Sequence, residues 1–594
     1  MNYKYIATVS AALLSVVSML SSCDLDVVNP TDVSSDTFWK RDADVWNALN
    51  TIYADIIPGV EIYNDSYTDD VRCPYPWESN GSTFQVNGLS TSVDMGYNFV
   101  AIRRVNNLLT NIGNVPMDEA LRERVIAEAR VLRAYRYAVM TNDFGKVPLI
   151  TELKNYDEKM FKRDDAAAVR SFVLKEFQES IPKLPAKYSG GYFNETSRLS
   201  RYGAEALLAR VALQFKEYAI AEQAAREVMK GGFALHTLTS LPEGTEAEVA
   251  QIRQLVDFDA LGLDADKFIQ GIYNYRSTWD DAFVTSSSPE CIIIREYKGG
   301  NADYADLTRY TSMRPQQMVD GWSSVVPQQP LIDAYWTADG KAFAAPSKDQ
   351  RATAYNKLNE DYTEVMESEK KSFRAVANGW IESGKYLGYE YFKEFKNRDP
   401  RLYASILFPF HRVSDYDAGP DFVYEWKKGI NNESTTGYNF LKMVAKSTST
   451  MLWSAYPASE ADFPVFRYAE ILLIFAEAHT QNSGYDAEVA AALNQLRDRV
   501  GMPHVPSSLS KEAGLELIRN ERHIELAGEG SRLNDIKRYG SDYAKKVMND
   551  VEICVPDGTA VITLKWNDRM MLYPIPQTAI DVNPGLVSDQ NPGY

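Results

Sequence analysis

The sequence predicts an all-α, mainly helical fold with irregular loops between the helices. Two observations support this fold class. Apolar residues recur at helical spacing in residues 118–140, 200–230 and 466–500. The stretches between these segments are rich in Tyr, Asp, Asn, Gly and Pro, a composition typical of loops. Because 45% of the 594 residues are hydrophobic, the chain can bury a large core in one or two lobes.

The N-terminus predicts a lipid anchor. Residues 1–22 contain a mostly apolar run, which is short and interrupted by Ser and Thr and is therefore a poor membrane span. The run ends in Leu20-Ser21-Ser22-Cys23, and small residues before a cysteine resemble a bacterial lipobox. We predict a lipoprotein signal peptide over residues 1–22 and lipidation of Cys23, so that acyl chains tether the protein without spanning the membrane. The alternative is an ordinary signal peptide with an incidental cysteine.

Helical patterns fill the first half of the chain. Residues 38–53 predict a helix with an aromatic face, and residues 118–140 predict a longer helix that ends near Gly145. Residues 200–230 predict two helices with alanines where they cross, which is loosely similar to a tetratricopeptide unit. Several helix-turn-helix units with irregular insertions are therefore expected.

Residues 463–539 predict three further helices. In the first helix, Phe466 and Leu473 fall on the same face. Asp486 can cap the second helix, and Gly501 ends it. These two helices form another candidate pair.

Charge and composition exclude several kinds of partner. The formal net charge is -18 and no run of Lys and Arg is present, which excludes a nucleic-acid partner and a polybasic mode of membrane binding. The five His residues form no metal-binding pair, and we expect neither a metal site nor a cofactor. The cysteines indicate no disulfide framework, since their spacing is wide and irregular: Cys23, Cys73, Cys291 and Cys554.

Two loop-rich stretches, residues 67–80 and 275–322, carry the candidate binding residues. Aromatic rings stack on the flat C–H faces of sugars, while Asp, Asn and Arg hydrogen-bond to hydroxyls. The candidate stacking platforms are Tyr75, Trp77, Trp279, Tyr304, Tyr310 and Trp322, and the candidate polar partners are Asp70, Arg72 and Asn80. For each aromatic residue, core packing is the competing interpretation, because most Trp and Tyr side chains are largely buried.

Landmarks along the whole chain together resemble the SusD/RagB family. These proteins are surface lipoproteins that capture nutrients for Gram-negative bacteria of the gut and mouth. The matching segments occur in the family's order: the lipobox at Cys23 and residues 38–39, 130–135, 144–148, 209–210, 399–401, 467–470, 521–526, 529–532, 573–576 and 591–594.

The resemblance implies a helical body with four tetratricopeptide-like helix pairs, an irregular ligand-binding lobe and no catalytic activity. It also implies an outer-membrane lipoprotein that sits as a lid on a SusC-type TonB-dependent transporter and delivers oligosaccharides or polysaccharides to it. The expected organisation is a signal peptide (1–22), an N-terminal helical region (23–235), an irregular ligand-binding insertion (236–330) and a C-terminal helical region (331–594).

A cluster of acids offers a different interpretation. Glu521, Glu525 and Glu529 have the spacing of one helical face, and a glycoside hydrolase using Glu521 and Glu525 is the alternative function. Such an enzyme needs two opposed carboxyls, one of them with a raised pKa. Arginines near in sequence would lower the pKa values instead, which favours structural ion pairs: Arg519, Arg522, Arg532 and Arg538. Two further alternatives are peptide cargo within the same family and a scaffold without a ligand.

Overall fold

The structure is a computed structural model. It describes residues 38–58, 62–154, 160–188, 197–280, 284, 288–296, 313–318, 321–415, 418–444 and 462–594. Cys23, Tyr304 and Tyr310, like the expected signal peptide, lie outside these residues. The described chain is mainly helical with little sheet, which confirms the predicted fold class.

Helices occur along the whole described chain. The α-helices are α1 (Asp42–Ile56), α2 (Gly81–Gln85), α3 (Val100–Asn111), α4 (Glu119–Phe144), α5 (Ala166–Ser180), α6 (Arg201–Gln214), α7 (Tyr218–Met229), α8 (Glu246–Leu255), α9 (Phe258–Leu261), α10 (Ala265–Ser277), α11 (Gln329–Ala334), α12 (Lys348–Glu369), α13 (Phe373–Glu382), α14 (Pro400–Ser405), α15 (Tyr468–Ser483), α16 (Ala487–Val500), α17 (Lys511–Glu525), α18 (Arg532–Tyr539), α19 (Ser541–Met548) and α20 (Gln577–Val582). Short 3₁₀ helices occupy Asn64–Tyr67, Ile112–Asn114, Ile181–Lys183, Lys385–Gly388, Glu390–Glu394, Asp568–Met571 and Pro584–Leu586.

The strands are short and pair in twos. They are β1 (Val71–Arg72), β2 (Cys291–Arg295), β3 (Val326–Pro327), β4 (Ile406–Leu407), β5 (Arg412–Asp415), β6 (Gly419–Val423), β7 (Asn439–Phe440), β8 (Phe463–Arg467), β9 (Val551–Cys554) and β10 (Ala560–Leu564). Antiparallel ribbons form between β1 and β3, β2 and β8, β4 and β7, β5 and β6, and β9 and β10.

Neighbouring helices pack together in pairs. The helix α4 packs on α5, α6 packs on α7, and α15 packs on α16, which confirms the two pairs predicted from residues 200–230 and 466–500. Buried alanines on α6 and α7, including Ala209 and Ala221, allow the two helices to approach closely. The helix α15 also packs on α7 and α17, so these pairs share one hydrophobic core.

Two of the predicted helix boundaries are set by specific contacts. The Asp486 side chain accepts hydrogen bonds from the backbone N–H groups of Glu488 and Val489 and so caps α16 as predicted. The same helix ends at Gly501, which has a φ of +71°. A Cβ atom there would lie 2.7 Å from the Phe268 Cα atom, so both the backbone conformation and the packing require glycine.

Two stretches differ from the sequence prediction. Phe466 lies in β8, which pairs with β2, and α15 begins only at Tyr468. Residues 236–330 were expected to be irregular, but α8, α9 and α10 lie within them. The helix α10 is buried over its last turns, where polar residues such as Asn274 and Arg276 lie in the core beside apolar ones, so residue type alone does not mark its inner face.

None of the helices in the described part of the chain is both long and apolar enough to cross a membrane.

Candidate ligand-binding surface

The ribbon of β1 and β3 brings two loops together. Arg72 at the end of β1 pairs with Val326 at the start of β3. Because the strands are antiparallel, the chain that leaves β1 and the chain that enters β3 lie at the same end of the ribbon. Residues 73–80 and 321–325 are therefore neighbours, although about 240 residues separate them in sequence.

Tyr75 and Trp77 form an aromatic pair on the first of these loops. Their ring centroids are 4.9 Å apart and the rings are tilted by 31°. Trp77 is 77% exposed, whereas Tyr75 is half-buried. An aromatic side chain held at the surface keeps a large apolar face in water, and such faces are typical of binding sites.

Arg72 and Asn80 lie at the two ends of the same loop, and both are half-buried. The Arg72 Nε and Nη1 atoms have no hydrogen-bond partner among the described residues. Burial lowers the pKa of Arg72. Both atoms are buried, and buried donors without a partner are unusual in proteins.

A third loop, residues 425–434, contributes acidic groups that the sequence interpretation missed. The Gln317 Nε2 atom donates to the backbone oxygen of Glu425 at 2.7 Å, which joins this loop to the residues before β3. Partial burial, together with the carboxylates of Glu78 and Glu433, raises the pKa of Tyr75. The Asn432 Nδ2 atom donates to the backbone oxygen of Gly321 at 3.4 Å, which also brings Glu433 to the loop before β3. The turn-forming residues after Trp426 were the only sequence signal for this loop.

Other predicted site residues lie elsewhere. Trp279 is only 2% exposed and packs against Phe463 with ring centroids 6.0 Å apart, so it belongs to the core and offers no face to a ligand. Asp70 is fully buried, and the His523 Nε2 atom lies 2.6 Å from its Oδ1 atom. Both are removed from the candidate site. Trp322 is half-buried on the loop before β3 and stays a candidate.

The segment that precedes the aromatic loop is held to the helical body by three aspartates. Asp65 accepts hydrogen bonds from the backbone N–H groups of Gly530 and Arg532, at 3.0 and 3.1 Å. The Arg532 guanidinium donates twice to Asp69, at 3.0 and 2.8 Å. Burial, with the nearby Asp70 carboxylate, raises the pKa of Asp65 to about 7. These contacts fix the start of β1 and thereby the loop that follows it.

The Glu521 and Glu525 carboxylates are ion-paired and buried. The Arg401 guanidinium donates to Glu521 at 3.0 Å and to Glu525 at 3.2 Å. Although burial opposes it, the surrounding arginines lower the pKa of both acids. A general acid needs the opposite shift and access to the substrate, so these groups have the properties of structural ion pairs.

The partners of these acids are not the arginines nearest in sequence. Glu521 also pairs with Arg497, and Glu525 also pairs with Arg467 and Arg499. Arg522 instead pairs with Asp535, and Arg538 pairs with Glu477 and Asp535. The prediction of neutralisation by arginine was right, but tertiary packing selects the partners from β8, α14 and α16.

Neither metal binding nor thiol reactivity finds support among the described residues. Within them, no group of three or more His, Cys, Asp or Glu side chains could hold a metal ion. Cys73 and Cys291 are buried, Cys554 is partly buried, and all three are free thiols. Burial raises the pKa of the Cys73 and Cys291 thiols to about 12, which keeps them unreactive.

These features define a class: a helical-repeat protein with a candidate ligand surface built from loops. The model of the SusD family matches residues 289–594, which is just over half of the chain. The chain therefore belongs to the SusD family, which confirms the resemblance found in the sequence.

Relatives match over the full length. SusD-like protein P2 of Formosa agariphila is 24% identical over 624 residues, with 100% of both chains covered. A SusD-like protein of Bacteroides fragilis has the same fold, with 23% identity, a TM-score of 0.71 and coverage of 95% of this chain and 99% of that one. A laminarin-binding SusD-like protein has 21% identity, a TM-score of 0.60 and coverage of 94% and 100%.

Proposed function

We propose that this protein is a lipid-anchored, non-catalytic glycan-binding protein of the bacterial outer membrane. It captures oligosaccharides or polysaccharides and delivers them to a SusC-type TonB-dependent transporter. The observation that carries the proposal is the Tyr75–Trp77 ring pair, in which Trp77 is 77% exposed, on the loop that follows Arg72. Membership of the SusD family and the laminarin-binding relative support it.

The geometry suits a neutral polyhydroxylated chain. The exposed face of Trp77 removes the apolar C–H face of a sugar ring from water. The Arg72 guanidinium can donate to hydroxyl oxygens once its side chain turns outward, while the carboxylates of Glu78 and Glu433 can accept hydrogen bonds from hydroxyl groups. Binding of this kind needs neither a raised carboxyl pKa nor a cofactor.

The first prediction concerns Trp77. We expect Trp77→Ala to weaken glycan binding by about 1–2 kcal/mol, or roughly tenfold, because one stacking contact is lost. Affinity electrophoresis against a polysaccharide panel measures the change. Met160→Ala is the control, since Met160 is also exposed, at 69%, but lies outside the three loops. Equal migration of wild type and Trp77→Ala in every retarding gel would contradict the proposed surface.

The second prediction concerns Arg72. We expect Arg72→Ala to weaken binding by about 1.5–3 kcal/mol, because hydrogen bonds to a charged donor are lost. The free energy of unfolding should change by less than about 0.5 kcal/mol, since its free Nε and Nη1 atoms stabilise no other described group. Calorimetric titration and urea unfolding of the same preparation separate the two effects.

The same assays distinguish the competing functions. Tight binding of a cationic peptide without retardation by any polysaccharide would favour peptide cargo. New reducing ends that appear with a glycan and disappear in Glu525→Gln would favour a hydrolase. Co-purification of the transporter with the full-length protein from detergent-solubilised outer membranes tests the delivery role, and its absence would contradict that part of the proposal.

A further inference from the structure

A cavity separate from the candidate surface lies within the helical body. Its volume is about 380 Å³, and α4, α6, β8, α17 and α18 contribute to its walls. Small-molecule sites in proteins usually have volumes of about 300–1,000 Å³. Asp55, Asn64 and Asn534 are exposed members of the lining, so the cavity opens to solvent on their side. None of Arg72, Tyr75 and Trp77 lines it.

The charges of the cavity wall balance. Five carboxylates and five arginines line it. The main pairs join Arg210 to Glu470 at 2.6 Å and Arg522 to Asp535 at 2.7 Å. A charged ligand would lose its hydration without finding a counter-charge, so the cavity favours a neutral molecule.

Two buried donors without partners belong to residues of this balanced wall. The Arg522 Nη1 and Arg538 Nε atoms have no hydrogen-bond partner among the described residues, although the two residues are only 4% and 5% exposed. Both side chains line the cavity. A buried donor without an acceptor is unfavourable, and a guanidinium can only donate. An occupant that supplies oxygen acceptors would satisfy these atoms only if the two side chains turned toward it.

Amide groups from three helices complete the polar lining. The Gln214 Nε2 atom donates to Asn142 Oδ1 at 2.7 Å, and the Asn142 Nδ2 atom donates to Asn534 Oδ1 at 2.9 Å. Phe215 and Phe463 add apolar wall. Amides can both donate to and accept from hydroxyl groups, which a mixed polar and apolar molecule such as a sugar requires.

We infer that this cavity is a second binding site, which takes a small neutral hydroxyl-rich molecule of monosaccharide size. The site is separate from the proposed glycan surface and does not depend on it. The competing hypothesis is that the cavity holds only water, since polar cavities of this size are ordinarily hydrated.

Thermal unfolding and calorimetric titration of the full-length protein test the inference. The probes are glucose, galactose, mannose and N-acetylglucosamine, with sodium sulfate and sodium acetate as anionic probes. We expect at least one neutral sugar to raise Tm in a saturable way, because it binds only the folded state. Val139→Phe, which fills the cavity from α4, should weaken this binding by at least about tenfold.

Matched variants separate the two sites. Ile126→Phe introduces the same bulk on α4 away from the cavity and should leave binding of the sugar unchanged. Trp77→Ala should also leave it unchanged. Gln214→Leu provides a second cavity variant in case Val139→Phe does not fold, and a sugar-soaked crystal should show the ligand beside Arg522.

Three outcomes would overturn the inference. They are no stabilisation by any neutral probe, binding that Trp77→Ala abolishes, and binding that Gln214→Leu and Val139→Phe leave intact. Stabilisation by sulfate or acetate alone would show an adventitious ion only. Loss of polysaccharide binding in Trp77→Ala with the cavity site intact would leave both proposals standing, so the two can fail separately.

Discussion

At Glu525, three guanidinium groups surround one carboxylate out of contact with water. The Arg467 Nη1 atom donates to it at 2.7 Å, and Arg401 and Arg499 donate as well. The Glu525 side chain is completely buried, and these arginines lower its pKa. Because each member of the cluster depends on the others, the removal of one charge leaves the rest uncompensated.

We therefore expect Glu525→Gln to lower the free energy of unfolding by about 3–5 kcal/mol. Urea unfolding followed by circular dichroism measures the loss. Glu390→Gln serves as the control, because Glu390 pairs with Lys393 at the exposed surface and should contribute less than about 1 kcal/mol. Similar losses in the two variants would show that the buried cluster is not a special source of stability.

His479 is a residue at which stability should depend on pH. Its Nδ1 atom lies 2.8 Å from Glu222 and its Nε2 atom lies 3.1 Å from Asp486. Burial alone would lower the pKa of His479, but the two carboxylates outweigh burial and raise it above 6.5, while Arg226 lies 3.2 Å from Nδ1. The protonated form is thus favoured in the folded state.

The sign of the pH effect follows from this raised pKa. The stabilisation is fully present below pH 6.5, the unfolded value, and is lost as the pH rises through the folded pKa. At pH 6, we expect the free energy of unfolding of the wild type to be larger than that of His479→Gln by a few tenths to about 1 kcal/mol. The difference should shrink by pH 8.5. Urea unfolding across this range gives the profile, and a difference that grows with pH would contradict the assignment.

At the scale of elements, the segment of residues 64–72 connects the helical body to the candidate surface. Asp69 and Arg532 form its most direct link, a paired contact in which both residues are about 4–5% exposed. The Gln85 and Gln328 side chains also donate to the backbone oxygens of Thr68 and Val71. These contacts with the helical body therefore fix the position of the loop of residues 73–80.

Asp69→Asn should release this segment. We expect faster amide hydrogen exchange in residues 65–80 and weaker glycan binding, because the loop loses its preferred position. Glu176→Gln is the matched control, since it breaks a buried pair with Arg133 between α4 and α5. That variant should lose stability but keep its glycan affinity. Equal losses of affinity in both variants would contradict a positioning role for Asp69.

At the scale of the whole molecule, the predicted lipid anchor at Cys23 would determine where the protein works. We expect Cys23→Ala to abolish acylation and to release the protein from the membrane fraction, because no other anchor is predicted. Metabolic labelling with a radioactive fatty acid and membrane fractionation measure both effects, with Cys73→Ala as the control for a buried cysteine. A labelled, membrane-bound Cys23→Ala protein would contradict the anchor.

The elements with strong local signals were predictable. The helix α16, with its Asp486 cap and Gly501 stop, and the pair α6 and α7 follow from periodicity and end signals that neighbouring residues carry. The helix α10 was missed because it lies in a stretch with a loop-like composition, and because polar residues such as Asn274 and Arg276 are buried beside its apolar ones. The strand β8 was also missed, since its partner β2 is about 170 residues away.

The residues of the candidate site were also only partly predictable from the sequence. Tyr75, Trp77 and Arg72 could be chosen by residue type and loop composition alone, and they remain candidates: Trp77 is exposed, while Tyr75 and Arg72 are half-buried. Trp279 and Asp70 had the same chemistry in the same kind of sequence, yet they are buried. Composition describes what a side chain can bind, but not whether it reaches solvent.

The sequence by itself determined the helical class, the family and the residue types available for binding, because these depend on local patterns and on motifs in order. Only the tertiary structure decided which aromatics are exposed, which arginine pairs with which glutamate, and that residues 425–434 join the surface. The physical reason is that burial and ion pairing are set by contacts between segments that lie more than a hundred residues apart, such as Arg72 with Val326 and Arg401 with Glu525.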